Sequence, residues 1–215
     1  MSLIVNEIFY SIQGESSFAG RPCVFIRLTG CNLRCSYCDT QYAYHEGDEL
    51  EIAGILDKIA AYKYPLVEIT GGEPLMQKDT PALIYTLLEK GYEVLLETNG
   101  SHSTAEIDKR CVKIIDIKCP SSGEHQKCNP DILTSLSDKD EVKFVVGDRK
   151  DYEYAREILA LMRGRLVLQN EAHFLPVFEK MDPRVLAEWI LEDHLDAELN
   201  LQIHKVVWDP ERRGV

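Results

Sequence analysis

No apolar run in this chain of 215 residues approaches the roughly 20 needed to cross a bilayer. Met1 to Tyr10 lacks the charged, apolar and small-residue sections of a secretory leader. The expectation is therefore a cytoplasmic protein with no membrane partner. Lysine and arginine form no run, and the formal net charge is -12 with a pI near 5.0. Nucleic-acid binding draws on a basic footprint, so that class is disfavoured; the acidity better serves solubility. Internal repeats, low-complexity tracts and linkers are missing too, which leaves one domain over residues 1–215. Paired cysteines are also lacking. There are seven, an odd number, and three fall within residues 31–38. In a reducing compartment that pattern speaks for metal or redox chemistry rather than disulfides.

What is present suits a globular protein with one sizeable core: 45% hydrophobic and 28% charged residues. At the N-terminus two apolar pairs, Ile4-Val5 and Ile8-Phe9, are split by Asn6 and Glu7, which reads as a short, partly buried strand. Further strands are expected at 23–29, 66–70, 93–97, 112–117, 141–146, 166–169 and 200–203. Helices are expected at 50–62, 80–90, near 103–110, 130–136, near 152–163 and 182–194. Thr80 and Asp182 are placed as helix caps, each followed by proline, and Gly91 closes the second helix. About six βα units imply a parallel sheet with helices outside it. A full eight-unit barrel takes about 250 residues, so the expected fold is α/β: a partial, open (β/α)6-type barrel. Distinctive loops at 30–38, 71–74, 98–100 and 118–123 each follow a strand. Parallel strands would gather them at one rim, where α/β proteins do their chemistry.

Cys31, Cys35 and Cys38 stand in the run Cys-Asn-Leu-Arg-Cys-Ser-Tyr-Cys. Thiolates are soft ligands that suit iron–sulfur clusters and zinc. A closed zinc site takes four ligands, so zinc would need a distant fourth residue such as His45 or Cys119. A ferredoxin-type site would supply four cysteines per cluster. Three cysteines hold three corners of a four-iron cluster and leave one iron open.

The C-x3-C-x2-C spacing, with Tyr37 before its last cysteine, resembles the radical S-adenosylmethionine (SAM) signature. Gly71-Gly72-Glu73-Pro74 after a predicted strand resembles that superfamily's GGEP motif. The resemblance implies one [4Fe–4S] cluster, chelation of its open iron by the methionine end of SAM, and a 5′-deoxyadenosyl radical that abstracts hydrogen from a substrate. The run 7–16, Glu-Ile-Phe-Tyr-Ser-Ile-Gln-Gly-Glu-Ser, narrows the likeness. So do Phe25-Ile26-Arg27-Leu28, Cys38-Asp39-Thr40 and the Gly214-Val215 ending. Together they resemble the 7-carboxy-7-deazaguanine synthase family over nearly the whole chain.

That resemblance implies conversion of 6-carboxy-5,6,7,8-tetrahydropterin to 7-carboxy-7-deazaguanine, with ring contraction, loss of ammonia and a requirement for Mg²⁺. It places the reaction in queuosine and 7-deazapurine biosynthesis. It also implies an external electron donor such as flavodoxin or ferredoxin, and a homodimer. Carried over residue by residue, it gives Ile12, Gln13, Gly14, Arg27, Thr70 and Val215 to the substrate. Tyr37, Cys38, Asp39, Gly72, Asp116, Ile117 and Lys118 go to SAM, and Thr40 to Mg²⁺. Asp116 departs from the Ser-Pro-Lys common at that point of the family. Arg27 suits a carboxylate because its guanidinium pairs bidentately. One protein oxygen at Thr40 fits how Mg²⁺ is usually held.

Other readings stay open on the residues alone. Gln13-Gly14 also suits a turn, Thr40 a cap, and His204, which the resemblance brings within reach of the substrate, a packed or hydrogen-bonded histidine. Glu97 and Asn99 suit either the SAM ribose or a turn. Cys23 and Cys111 read as small core residues, and Cys119, Cys128 and His125 as a second metal group. A glycyl-radical-enzyme activator would share the cysteine spacing but act on a protein. The non-enzymatic alternative is a zinc-stabilised or electron-transfer module.

Overall fold

The computed structural model describes residues 1–165 and 171–215. Among the described residues nine strands form one sheet in the order β3-β1-β2-β4-β5-β6-β7-β8-β9. They are β1 (Ser2–Ile12), β2 (Pro22–Leu28), β3 (Asp48–Glu51), β4 (Leu66–Gly71), β5 (Glu93–Thr98), β6 (Val112–Asp116), β7 (Glu141–Val146), β8 (Ala172–Pro176) and β9 (Glu198–Leu199). From β2 to β9 every neighbouring pair is parallel. β1 pairs antiparallel with both β2 and β3. β3 and β9 remain unjoined edges, so the expected partial, open barrel is what forms.

The outer face of the sheet carries the helices α1 (Ile52–Ala60), α2 (Thr80–Glu89), α3 (Arg149–Arg165) and α4 (Pro183–Glu192). Each turns a stripe of three- and four-residue spacing inward. Ile52, Ile55 and Ile59 of α1 and Leu83, Ile84 and Leu87 of α2 pack on Val24, Ile26, Val67, Ile69, Val94 and Leu96. Tyr152, Ala155 and Leu159 of α3 and Leu186 and Ile190 of α4 pack on Ile115, Val142, Phe144 and Phe174. The alternate strand residues point the other way, into the lumen. There Phe9, Cys23, Phe25, Leu66, Leu95 and Ile114 form a separate apolar floor. Cys23 and Cys111 are fully buried core residues.

β1 explains the split apolar pairs at its sequence. The register slips between Val5 and Glu7, a β-bulge at Asn6. Before the bulge, Leu3 and Val5 face the helix layer; after it, Phe9 faces the lumen. One extra residue reverses which parity faces which side, and so Glu7 comes opposite Arg27.

Several expected elements take other forms. Residues 103–110 make turns and no helix; Thr104 is buried and its carbonyl accepts from Ile107 N–H at 3.0 Å. Leu50 belongs to β3, because residues 48–51 pair with the start of β1 and the helix begins only at Ile52. Residues 130–134 form a short 3-10 turn. The expected strand at 200–203 is replaced by β9 at Glu198–Leu199 and by α5 (Ile203–Val207). The strand expected at 166–169 lies outside the described residues; the strand following α3 is β8. Asp182 caps α4, its carboxylate accepting from Arg184 N–H. The cap position of α2 is Asp79, and Thr80 instead donates its hydroxyl to Pro74 O at 2.6 Å.

Candidate active site

The carboxyl ends of the parallel strands open into a cleft of about 700 Å³ that runs down into the lumen. Cys31, Cys35 and Cys38 line it, on the loop that leaves β2. Burial pushes the Cys35 thiol up to about 11 and raises that of Cys31, so each keeps its proton until a cation takes it. Among the described residues the only three His, Cys, Asp or Glu ligand atoms within 4.8 Å of one another belong to Glu141, Glu171 and His173. Neither proposed fourth zinc ligand lines the cleft. Cys119 is fully buried with its Sγ toward Ile117 O, and His45 is exposed. Cys119, Cys128 and His125 form no metal-sized group among the described residues.

The Gly-Gly-Glu-Pro turn is fastened to this loop by backbone. Gly72 N–H donates to Leu28 O at 3.1 Å and Glu73 N–H to Gly30 O at 2.7 Å. Gly71 has φ +148°, and a Cβ on Gly72 would stand 2.2 Å from Gly30 O. Only glycines allow both the turn and that approach. The Glu73 carboxylate is fully buried and accepts from Leu75 N–H, Thr98 hydroxyl and Asn99 N–H at 2.7–3.0 Å. Asn99 in turn reaches Asn32 at 3.1 Å and lies 4.0 Å from Cys31 Sγ. Asn99 therefore braces the cysteine loop as well as shaping its own turn.

Deeper in, the inward residues of each strand set a polar layer above the apolar floor. Arg27 pairs in register with Thr70. Its Nε donates to Glu7 at 2.8 Å, and the guanidinium lies over Phe9 and Tyr42. Lys143 is buried and ion-paired to Glu15 at 2.6 Å, to Glu97, and to Asp116 at 3.5 Å. Lys118 pairs with Asp116 at 2.7 Å. Burial opposes every one of these charges. Their mutual attraction nonetheless holds Glu15 and Asp116 below the ordinary carboxylate range and both lysines above theirs. Two lysines balance two carboxylates. The surplus pair takes the penalty: burial, then repulsion from Glu97, pushes Glu68 well up, and burial raises Glu97 as well. Gln13 donates its side-chain amide to Glu68 and accepts from Glu15 N–H at 2.7 Å.

Of the residues singled out in the sequence, Ile12, Gln13, Gly14, Arg27, Tyr37, Cys38, Asp39, Thr40, Thr70, Gly72, Asp116, Lys118 and Val215 all line this cleft. Ile117 does not. Its side chain is in the core and its N–H is spent on Lys143 O at 2.8 Å, which leaves only its carbonyl for a ligand. Ile12–Glu15 enter from the amino end of the parallel strands, because β1 runs against β2 and ends opposite Pro22. His204 on α5 packs against Gly14 so closely that a Cβ there would be 2.0 Å from its Nδ1. Asp39 meets Thr40 at 2.9 Å and Lys205. Burial would raise its carboxyl, but Lys205 outweighs that and holds it at about 2.

Lys143, Glu68 and Lys205 escaped the sequence reading. The first two had a signal: a lone charge inside an apolar strand, in Glu-Val-Lys-Phe-Val-Val and Leu-Val-Glu-Ile-Thr, seldom stays buried without a partner. Lys205 had none.

Comparison with known proteins fits this geometry. Residues 25–120 match the family model described as the radical SAM superfamily. The chain is 43% identical to 7-carboxy-7-deazaguanine synthase of Koribacter versatilis, over 98% of this chain and 99% of that one. It is 45% identical to the enzyme of that name from Chlorobaculum tepidum, over 99% and 97% of the two chains. Among solved structures, QueE from Escherichia coli superposes with a TM-score of 0.75 at 25% identity, covering 94% of both chains. Streptococcus suis SuiB shares the fold at a TM-score of 0.57 and 18% identity, over 80% of this chain and 48% of its own. At such identity along its whole length, the chain belongs to the 7-carboxy-7-deazaguanine synthase family of radical SAM enzymes.

Proposed function

We propose that this protein converts 6-carboxy-5,6,7,8-tetrahydropterin to 7-carboxy-7-deazaguanine, with ring contraction and loss of ammonia, in 7-deazapurine and queuosine biosynthesis. The observation that carries the reading is a single cleft with three cysteines at its rim and Arg27, Thr70 and Gln13 below them. Cys31, Cys35 and Cys38 would hold a [4Fe–4S] cluster, with SAM beside it along Tyr37, Asp39, Gly72, Asp116 and Lys118. Bound together, cluster and SAM supply a carbon-centred radical for hydrogen abstraction.

The chain's own residues orient and neutralise. Arg27 offers the substrate carboxylate a fixed, planar fork, already aimed by Glu7 and the two aromatic rings. Gln13 and Gly14 close around the pterin from the opposite end, and the Val215 carboxylate lines the same cleft. The Thr40 hydroxyl, at the mouth of the cleft, would be one oxygen ligand of Mg²⁺, with substrate and water completing the shell. Flavodoxin or ferredoxin as electron donor, a homodimer and a cytoplasmic setting belong to the same reading. No helix among the described residues is long and apolar enough to cross a membrane.

The test is anaerobic reconstitution with SAM, reductant, Mg²⁺ and the carboxy-tetrahydropterin, with mass spectrometry of the product. Appearance of 7-carboxy-7-deazaguanine with SAM largely unconsumed is expected. SAM cleavage without that product would point instead to a protein substrate, as for a glycyl-radical-enzyme activator.

A further inference from the structure

At the amino ends of β7 and β8, outside the cleft, lies a second set of ligating side chains. Glu141 opens β7, Glu171 directly precedes β8 and His173 is its second residue. The pairing of Val142 with Ala172 and Lys143 with His173 sets all three on one face. Their ligand atoms lie within 4.8 Å of one another. His173 is fully buried. Its Nε2 stands 2.8 Å from Glu141 Oε2 and 4.0 Å from Glu171 Oε2. Its Nδ1 is 3.3 Å from Glu198 Oε2, on the neighbouring β9, and makes no hydrogen bond to any described residue.

A neutral imidazole carries one proton. Whichever nitrogen holds it, the other turns a lone pair toward a carboxylate, and a bound cation would relieve that. With the proton on Nδ1, facing Glu198, the Nε2 lone pair meets Glu141 and Glu171. A carboxylate behind the far nitrogen is how metal-bound histidines are commonly held. Glu141 is braced in turn: Ser17 donates its N–H to Oε2 at 3.1 Å and its hydroxyl to Oε1.

We propose that Glu141, Glu171 and His173 bind a divalent cation of the manganese or zinc class, with Glu198 orienting the imidazole. Two carboxylates and one imidazole, without a thiol, suit such ions. Three protein ligands leave a position for water. The site is separate from Thr40 at the cleft mouth and does not rest on the proposed reaction. Its ion would pin the 13–17 loop, which carries Glu15 to Lys143, against the β7–β8–β9 edge.

The test is Mn²⁺ titration of the cluster-loaded protein without SAM or pterin, read by loss of the free Mn²⁺ electron paramagnetic resonance signal and by the melting midpoint. One saturable Mn²⁺ per chain is expected, raising the midpoint, displaced by Zn²⁺ and unchanged in Thr40→Ala. Glu171→Gln, at a half-exposed position, and Glu198→Gln should fold normally, by circular dichroism, and bind about ten- to a hundredfold more weakly; they carry the test if His173→Gln fails to fold. Three results would overturn the proposal. One is no saturable binding. Another is binding kept in Glu171→Gln but lost in Thr40→Ala. The third is a midpoint that rises on acidification yet ignores both metals, which would assign the position to a proton alone.

Discussion

Lys118 Nζ lies 2.7 Å from Asp116 Oδ2, two residues back along the same strand end. Asp116 supplies a buried charge that both Lys118 and Lys143 use. Asp116→Asn would leave two mostly buried cations short of compensation. A loss of about 3 kcal/mol is expected, seen as a melting midpoint lowered by about 6–12 °C in the cluster-loaded protein. An unchanged midpoint would show that Glu15 and Glu97 suffice for both lysines.

Arg27→Lys keeps the charge but loses the planar fork held by Glu7, Phe9 and Tyr42. If Arg27 binds the substrate carboxylate, KM for the pterin should rise about tenfold or more. SAM cleavage in the absence of pterin should stay near the wild-type rate. A variant with wild-type KM would reduce Arg27 to a structural partner of Glu7.

Gly72→Ala places a methyl group against the Gly30 carbonyl and the Cys31 side chain, at 2.2 and 2.7 Å. Backbone cannot yield as a flexible side chain can. Reduced iron content after reconstitution is expected, together with weaker SAM binding by calorimetry. Wild-type values for both would mean that the two loops are less tightly coupled than their hydrogen bonds imply.

Cys119→Ala tests the zinc alternative. The thiol is buried away from the cleft, so the variant should load the same iron and sulfide as wild type. Cys35→Ala should lose the brown colour and SAM cleavage while keeping its circular dichroism. Loss of metal in Cys119→Ala would revive a four-ligand site.

Glu68 sets a pH dependence. Burial and Glu97 raise its carboxyl well above the ordinary 4.5, so the folded chain keeps a proton that the unfolded chain releases. Its contribution is complete below pH 4.5 and is lost as pH climbs toward the folded value. Glu68→Gln, which imitates the neutral acid, should flatten the alkaline decline of the melting midpoint above pH 4.5. Parallel wild-type and variant profiles would mean that Glu68 stays ionised.

Much of this architecture is written locally. The alternation of apolar strands with three-four-spaced helices dictated parallel strands with helices outside, because each segment has to bury its own apolar face. Cys31, Cys35, Cys38 and the Gly71–Pro74 turn were legible through their resemblance to the radical SAM motifs, whereas the cysteine spacing by itself left zinc open. Failures of the reading were also local in cause. Residues 103–110 held helix-compatible side chains, but turns won where Thr104 and Ile107 could be buried. Residues 200–203 read as strand, yet Ile203 N–H is taken by Gly14 O at 3.0 Å, and the chain coils there into α5.

Only the tertiary structure decided how the site is assembled. The bulge at Asn6 turns Glu7 toward Arg27, and the antiparallel run of β1 delivers Gln13–Glu15 to the lumen from the opposite end. Lys143 becomes the common partner of three carboxylates from separate segments. Asp39 meets Lys205 across the cleft, although 166 residues separate them in the chain. Motif spacing is local and survives in the sequence. Charge balance in a buried lumen is a sum over distant segments, and it exists only once the sheet has brought them together.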